Sequence, residues 1–148
     1  MVDVNMTPGG KQRLNLALEA LYFGFRAITA RPDERLKKLD YSRVHHRILY
    51  FVGRNPGCSI NELLRIMRVS KQYLNRPLRQ LVVDGYIQSK RDAEDRRIKR
   101  LRLTEKGQRL EEKLTGEQRK QLAEAFEKAG PGAEAGWRKV MELLGGNE

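Results

Sequence analysis

Cysteine is nearly absent from the chain. Cys58 stands alone, which excludes an internal disulfide framework and any cysteine-based zinc site. Long hydrophobic runs are missing as well, since none approaches the roughly 20 apolar residues that a membrane-crossing helix needs. The N-terminus lacks a basic start followed by an apolar stretch, so no signal peptide is expected and the cytoplasm is the expected compartment. There is no internal repeat and no low-complexity tract. Catalytic signatures are lacking too: no glycine loop for phosphate, no nucleophile elbow and no ligand cluster. The expectation is a protein that is not an enzyme and needs no cofactor or metal.

Acids are scarce relative to bases, 19 against 30, which gives a net charge of +11 over 148 residues. The excess is concentrated. Between Arg65 and Arg102 there are twelve bases and four acids, a net charge of +8. One patch of that sign points to a polyanionic partner. Scattered charge would read as a solvated surface, but here it gathers on one helix and the segment that follows it.

Hydrophobic content is 39%, enough for the core of one ordinary domain. Pro8 suits a first helical position. After it, Leu14, Leu18, Leu21, Phe25 and Ile28 recur at helical spacing, with Leu16, Tyr22 and Phe23 widening the apolar face. A helix that apolar needs more than one partner. It is expected to end before Pro32. A second helix starts near Tyr41-Ser42, buries Val44, Ile48, Phe51 and Val52, and stops at Asn55-Pro56-Gly57. Ser59 and Glu62 form the pattern of a capping box for a third, short helix carrying Leu63, Leu64 and Met67. After a tight turn Ser70 caps a fourth helix, with Leu74, Leu78, Leu81 and Val82 inward and Gly85 closing it. The period then changes. Residues 86–90 and 98–103 read as two strands around a charged turn, Arg91 to Arg97. Thr104 caps a long helix with Leu110, Leu114, Leu122 and Phe126 inside. Gly130-Pro131-Gly132 breaks it before a last helix carrying Trp137, Val140, Met141 and Leu144.

Short helix, tight turn, second helix and charged hairpin make the order of a winged helix-turn-helix. The second helix of such a unit fits the major groove of DNA. With the leucines inward, Lys71, Gln72, Asn75, Arg76 and Arg79 point outward. Glutamine and asparagine can pair with adenine and arginine with guanine, and the Ser70 hydroxyl can meet a phosphate. The hairpin can reach an adjacent minor groove, where cations favour narrow A·T-rich steps.

The wing residues Asp95-Arg96-Arg97, followed by Leu101-Arg102-Leu103-Thr104-Glu105-Lys106-Gly107, resemble the signature of the MarR (multiple antibiotic resistance regulator) family. The stretch from Val69 to Arg76, with Leu81 and Gly85-Tyr86-Ile87, is similar to that family's recognition helix and first wing strand. The resemblance covers nearly the whole chain. It implies a mainly α fold with a small β-hairpin, one domain over residues 1–148. Its winged helix-turn-helix would span 42–103, flanked by dimerisation helices at 8–30 and 104–145. It further implies a homodimer on a palindromic operator, most simply a repressor. The DNA-binding residues would be Ser70, Lys71, Gln72, Asn75, Arg76, Arg79, Arg91, Arg96 and Arg97. Asp95 would hold the wing arginines, and Arg97 with Arg96 would enter the minor groove. Leu14, Leu18, Leu21, Trp137, Val140, Met141 and Leu144 would form the dimer interface. Pro77 departs from the family pattern. Inside a helix it removes one backbone bond, at ~3 kcal/mol, so a kink is expected there.

Small aromatic acids are the ligands this resemblance implies. Tyr22, Phe25, Arg26, His46 and Tyr50 would line such a site, with Arg26 or His46 meeting the carboxylate. The same residues read first as plain core with a snorkelling arginine. His45 and His46 point about 100° apart on a helix and cannot share a metal as an i, i+4 pair could. Cys58 at a helix entrance invites a redox reading, but a lone small apolar residue in a turn reads first as packing. Two rivals are a protein-interaction module, which needs an apolar outer face, and a binder of structured RNA, which uses the same charge.

Overall fold

The computed structural model describes residues 9–146, so Pro8 lies outside the described residues. The elements are α1 (Gly10–Lys37), α2 (Arg43–Arg54), β1 (Cys58–Ser59), α3 (Ile60–Met67), α4 (Lys71–Val83), β2 (Ile87–Arg91), β3 (Lys99–Leu103), α5 (Glu105–Ala129) and α6 (Ala133–Gly145). The strands form one antiparallel sheet in the order β1-β3-β2. The fold is thus six helices around a small three-stranded sheet.

The core lies where α2, α3, α4, the sheet and the middle of α5 meet. Ile48, Leu49, Val52, Leu63, Leu74, Leu81, Ile87, Leu101 and Leu114 are fully or almost fully buried there. Each such side chain contributes ~1.5–3 kcal/mol of burial. Serine and threonine set the helix starts. Ser42, Ser59, Ser70 and Thr104 accept hydrogen bonds from the amides of Val44, Glu62, Tyr73 and Gly107. At α2 the box is closed by a histidine: the Ser42 amide donates to His45 Nδ1 at 2.9 Å. The opposite ring nitrogen of His45 bonds Gln80 of α4 at 2.6 Å, which ties the start of α2 to the end of α4.

Four local features change or extend the sequence reading. The first helix does not stop before Pro32 but continues to Lys37, with Pro32 buried inside it. Proline deprives the Ile28 carbonyl of its amide partner. Gln118 of α5 supplies the missing donor, its side-chain amide reaching the Ile28 carbonyl at 3.1 Å. The repair comes from a residue 90 positions away. Second, α4 runs unbroken through Pro77. Burial of Leu74, Leu78 and Leu81 on one face outweighs the lost bond. Third, Cys58 is not in a turn. It pairs with Leu101 as the third strand, so the hairpin becomes a sheet. The thiol is buried, and burial pushes its pKa above the ordinary value, with Glu62 adding to the effect. This removes the low-pKa environment that a redox-sensing thiol needs. Fourth, only the serine half of the Ser59/Glu62 box takes its expected role. The Glu62 carboxylate is engaged by Arg100 at 3.0 Å.

Gly107 shows why this junction needs a glycine. The Thr104 amide donates to the Tyr86 carbonyl at 3.0 Å and its hydroxyl to the Gly85 carbonyl at 2.6 Å. That presses the first turn of α5 onto residues 85–86. A Cβ at position 107 would sit inside the van der Waals radius of the Tyr86 carbonyl oxygen.

Candidate nucleic-acid interface

The outer face of α4 is polar from Ser70 to Arg79, with the exposed Val83 at its C-terminal end. Ser70, Lys71, Gln72, Asn75, Arg76 and Arg79 are all exposed, while Leu74, Leu78 and Leu81 are buried beneath them. This face lies beside the wing. A cleft of about 480 Å³ separates Asn75 and Arg79 from Ser89, Arg91 and Lys99 of the sheet. A second, of about 340 Å³, brings Lys71 together with Asn61, Arg97 and Lys99. Helix and wing therefore frame one concave, cationic surface.

The sheet register sharpens the electrostatics. Arg91 of β2 stands directly opposite Lys99 of β3. Both line the cleft facing α4, beside Arg79, and no acid lines it with them. Like charges directly opposite each other destabilise a strand pair, and a phosphate between them would reverse the sign of that interaction.

The wing turn is tightly organised. The Asp92 carboxylate accepts from the amides of Glu94 at 3.1 Å and Asp95 at 2.9 Å. Its pKa is below the usual carboxylate value, first because of the Asp95 amide and then Arg100. Asp95 in turn receives the Arg97 guanidinium at two points, both at 3.0 Å, and the Arg97 amide at 3.1 Å. Its carboxyl is held below the ordinary value chiefly by that side chain. The Arg97 side chain remains 91% exposed, so Asp95 orients the arginine without burying it. Arg96 is exposed as well, and its carbonyl accepts from Arg91 at 2.7 Å.

Lys99 and Asn61 line these clefts and are missed by the sequence reading. Period-2 alternation could have found Lys99, because it shares the face of Leu101 and lies across from Arg91. Asn61 has no sequence signal of its own. Arg100 is counted with the cationic patch on sequence grounds, but it turns away to bind Asp92 and Glu62.

The expected ligand residues separate into two groups. Phe25, His46 and Tyr50 line a cavity of about 380 Å³ between α1, α2 and α5. Tyr22 and Arg26 do not. They lie on an exposed side of α1, where Arg26 Nη1 donates to the Tyr22 hydroxyl at 3.4 Å. His46 is also ill suited to meet a carboxylate as a cation. Burial, then Arg47, lowers its pKa from 6.5, and its ring bonds Thr115 at 3.0 Å. The cations at the cavity are Arg43, Arg47 and Arg119. Arg43 is held by Asp33 and Arg119 by Glu112.

On the flanks, Leu18 and Leu21 of α1 and Trp137, Val140 and Leu144 of α6 are exposed, while Leu14 and Met141 are half-buried. No residue of α6 is buried.

A short helix, a tight turn, an exposed polar helix and a charged β-wing define the winged helix-turn-helix class. The sequence model of the MarR family matches residues 39–98. The HTH-type transcriptional regulator PetP of Rhodobacter capsulatus is 41% identical over 144 residues, covering 93% of this chain and 87% of that protein. The chain belongs to the MarR family of transcriptional regulators, whose members are not enzymes. Among solved structures it is similar to Streptococcus pneumoniae FabT in complex with DNA, with a TM-score of 0.76 and 20% identity over 90% of this chain and 94% of that one. A putative MarR family regulator from Listeria monocytogenes complexed with 26mer DNA gives a TM-score of 0.74 at 21% identity, over 88% and 87%.

Proposed function

We propose that this regulator binds a palindromic operator as a homodimer and represses transcription by occluding a promoter, in the cytoplasm where the chromosome lies. The observation that carries the DNA reading is the cationic concavity shared by α4 and the wing. Lys71, Gln72, Asn75, Arg76 and Arg79 read the major groove, with Ser70 on a phosphate. Arg96 and Arg97 enter the neighbouring minor groove, where narrow A·T steps attract arginine. Arg91 and Lys99 hold the strand that runs between the two grooves. The polar stretch from Ser70 to Arg79 on the outer face of α4, with only Val83 exposed beyond it, argues against a protein-interaction module.

The dimer reading rests on the apolar residues that the single chain leaves in water. Six large hydrophobic residues of α1, from Leu16 to Phe25, and four of α6 are exposed. A second copy covering them gives twofold symmetry and half-sites about one helical turn apart. The flanking helices are then the dimerisation elements, with Leu14 and Met141 at the edges of the contact.

Selection of bound duplexes from random DNA by the purified protein tests both readings. A twofold-symmetric consensus is expected. An asymmetric consensus, or equal competition by a hairpin RNA, would overturn them.

The cavity beside Phe25 and Tyr50 supports release by a small aromatic acid. Its ring would stack among Phe25, Tyr50 and Phe51, and Arg47 would meet its carboxylate. Binding there would favour a spacing of the two recognition helices that no longer matches the operator. Titration with benzoate-type acids should lower operator affinity. A rise in melting temperature without a change in that affinity removes the idea.

A further inference from the structure

Among the arginines of the wing, Arg100 is unlike its neighbours. It sits in β3 with its side chain about one-third exposed, and its guanidinium faces the protein. Nε donates to Asp92 Oδ1 at 3.3 Å, Nη1 to Glu62 Oε1 at 3.0 Å, and Nη1 also approaches the Gly57 carbonyl at 3.5 Å. One side chain therefore joins three separate pieces of the fold: the wing turn, helix α3 and the loop before β1. Asp92 in turn fixes the amides of Glu94 and Asp95, and Asp95 fixes Arg97. The chain of contacts runs unbroken from α3 to the exposed arginine at the wing tip.

We propose that Arg100 is a positioning residue for DNA binding, which locks the wing to the helix-turn-helix through Glu62 and Asp92 and neutralises no phosphate itself. This rests on the DNA reading above. Two carboxylates already compensate its charge, and it points to α3 instead of the cleft. What it supplies is orientation. A β-hairpin extending from a sheet edge pivots easily at its base, and each degree of pivot displaces Arg97 from the minor groove. Pre-organised geometry of this kind lowers the ordering cost of binding. Glu62 and Asp92 belong to the same device, although their negative charge by itself opposes DNA.

That opposition supplies the test. Removing an acid beside a DNA-binding surface strengthens binding if only charge matters. Removing an acid that orients the wing weakens it. The probe is an A-tract duplex of about three helical turns, whose binding by the unaltered protein is measured first. Failure there counts against the DNA reading and not against the device. Glu62→Gln should then weaken binding about fivefold, the size a part-exposed ion pair can supply, even though the protein has become more positive. Tighter or equal binding overturns the proposal.

Arg100→Gln is compared with Arg97→Ala and with the double variant. If Arg100 acts through Arg97, it should cost about fivefold in the parent but less than about twofold once Arg97 is gone. The dependence of affinity on salt should not change further between Arg97→Ala and the double variant. A further drop of about one counterion in that slope would mean that Arg100 meets a phosphate directly, and the assignment would fail. Equal losses from Arg100→Gln in both backgrounds would also overturn it. Arg100→Lys, which keeps the charge but not the two-sided fork, should not restore affinity.

Discussion

The winged segment and the flanking helices treat their apolar residues in opposite ways. Within residues 42–103 the leucines of α3, α4 and the sheet close on one another, with Leu63, Leu74 and Leu81 reaching zero exposure. Along the first half of α1 and along α6 the large side chains stay outside: Leu18 is 65% exposed and Leu144 69%. The first region is closed within one chain, whereas the second leaves its apolar side chains in solvent, where the proposed dimer would cover them. The difference teaches where each part gets its stability. Under the proposed dimer, the winged core is held by burial that is independent of protein concentration, and the flanks by burial that association would supply.

Substitutions can break that comparison at either end. The largest effect is expected in the winged core. Leu74→Ala should lower unfolding free energy by about 2–5 kcal/mol, by the same amount at every protein concentration in denaturant titrations. A loss that depends on concentration would show that this core too relies on a partner. On the flanks, Leu18→Glu combined with Leu144→Glu should convert the proposed dimer to a monomer in sedimentation, placing charges where apolar contact is needed. A species that keeps twice the chain mass would mean that these residues do not meet a second copy.

A smaller effect sharpens the link between the regions. Gln118→Ala leaves the Ile28 carbonyl without a donor where Pro32 has already removed the backbone one. A cost of about 1–3 kcal/mol is expected, with weakened protection of α1 amides in hydrogen exchange. A cost near zero would show that solvent satisfies that carbonyl. The smallest effect concerns pH. Burial lowers the pKa of His46 from 6.5, so the folded protein resists a proton that the unfolded chain accepts. Stability is therefore unaffected by this group above 6.5 and falls as pH drops below that value. The decline between neutral and mildly acidic pH should be shallower in His46→Gln, as read by melting temperature. Parallel slopes would remove His46 as the cause.

Much of this architecture could be read from the order of residues. Periodicity placed all six helices. The serines and threonine at 42, 59, 70 and 104 marked where four of them begin, because capping is a local exchange between a hydroxyl and an amide a few residues on. The outward set on α4 followed from knowing which leucines point in. The misreadings have a common origin in partners that are distant along the chain. Pro32 looked like a terminator because its repair lies in α5. Cys58 looked like a turn residue because its strand partner is Leu101. Glu62 looked like half of a capping box because Arg100 competes for it.

The ligand residues divided for the same reason. Phe25, His46 and Tyr50 reach the cavity, while Tyr22 and Arg26, on the same helix as Phe25, do not. Helical spacing tells which residues share a face but not which face of α1 the neighbouring helices will close over.

By itself the sequence determined the helices, their caps, the net positive patch and the family, since all of these depend on residue type and on contacts within a few positions. Tertiary structure decided which cations face solvent and which are spent inside, which carbonyl a proline could safely orphan, and that a lone cysteine would become a strand. Those outcomes depend on groups brought together across dozens of residues, whose pairing energies exist only once the chain has folded.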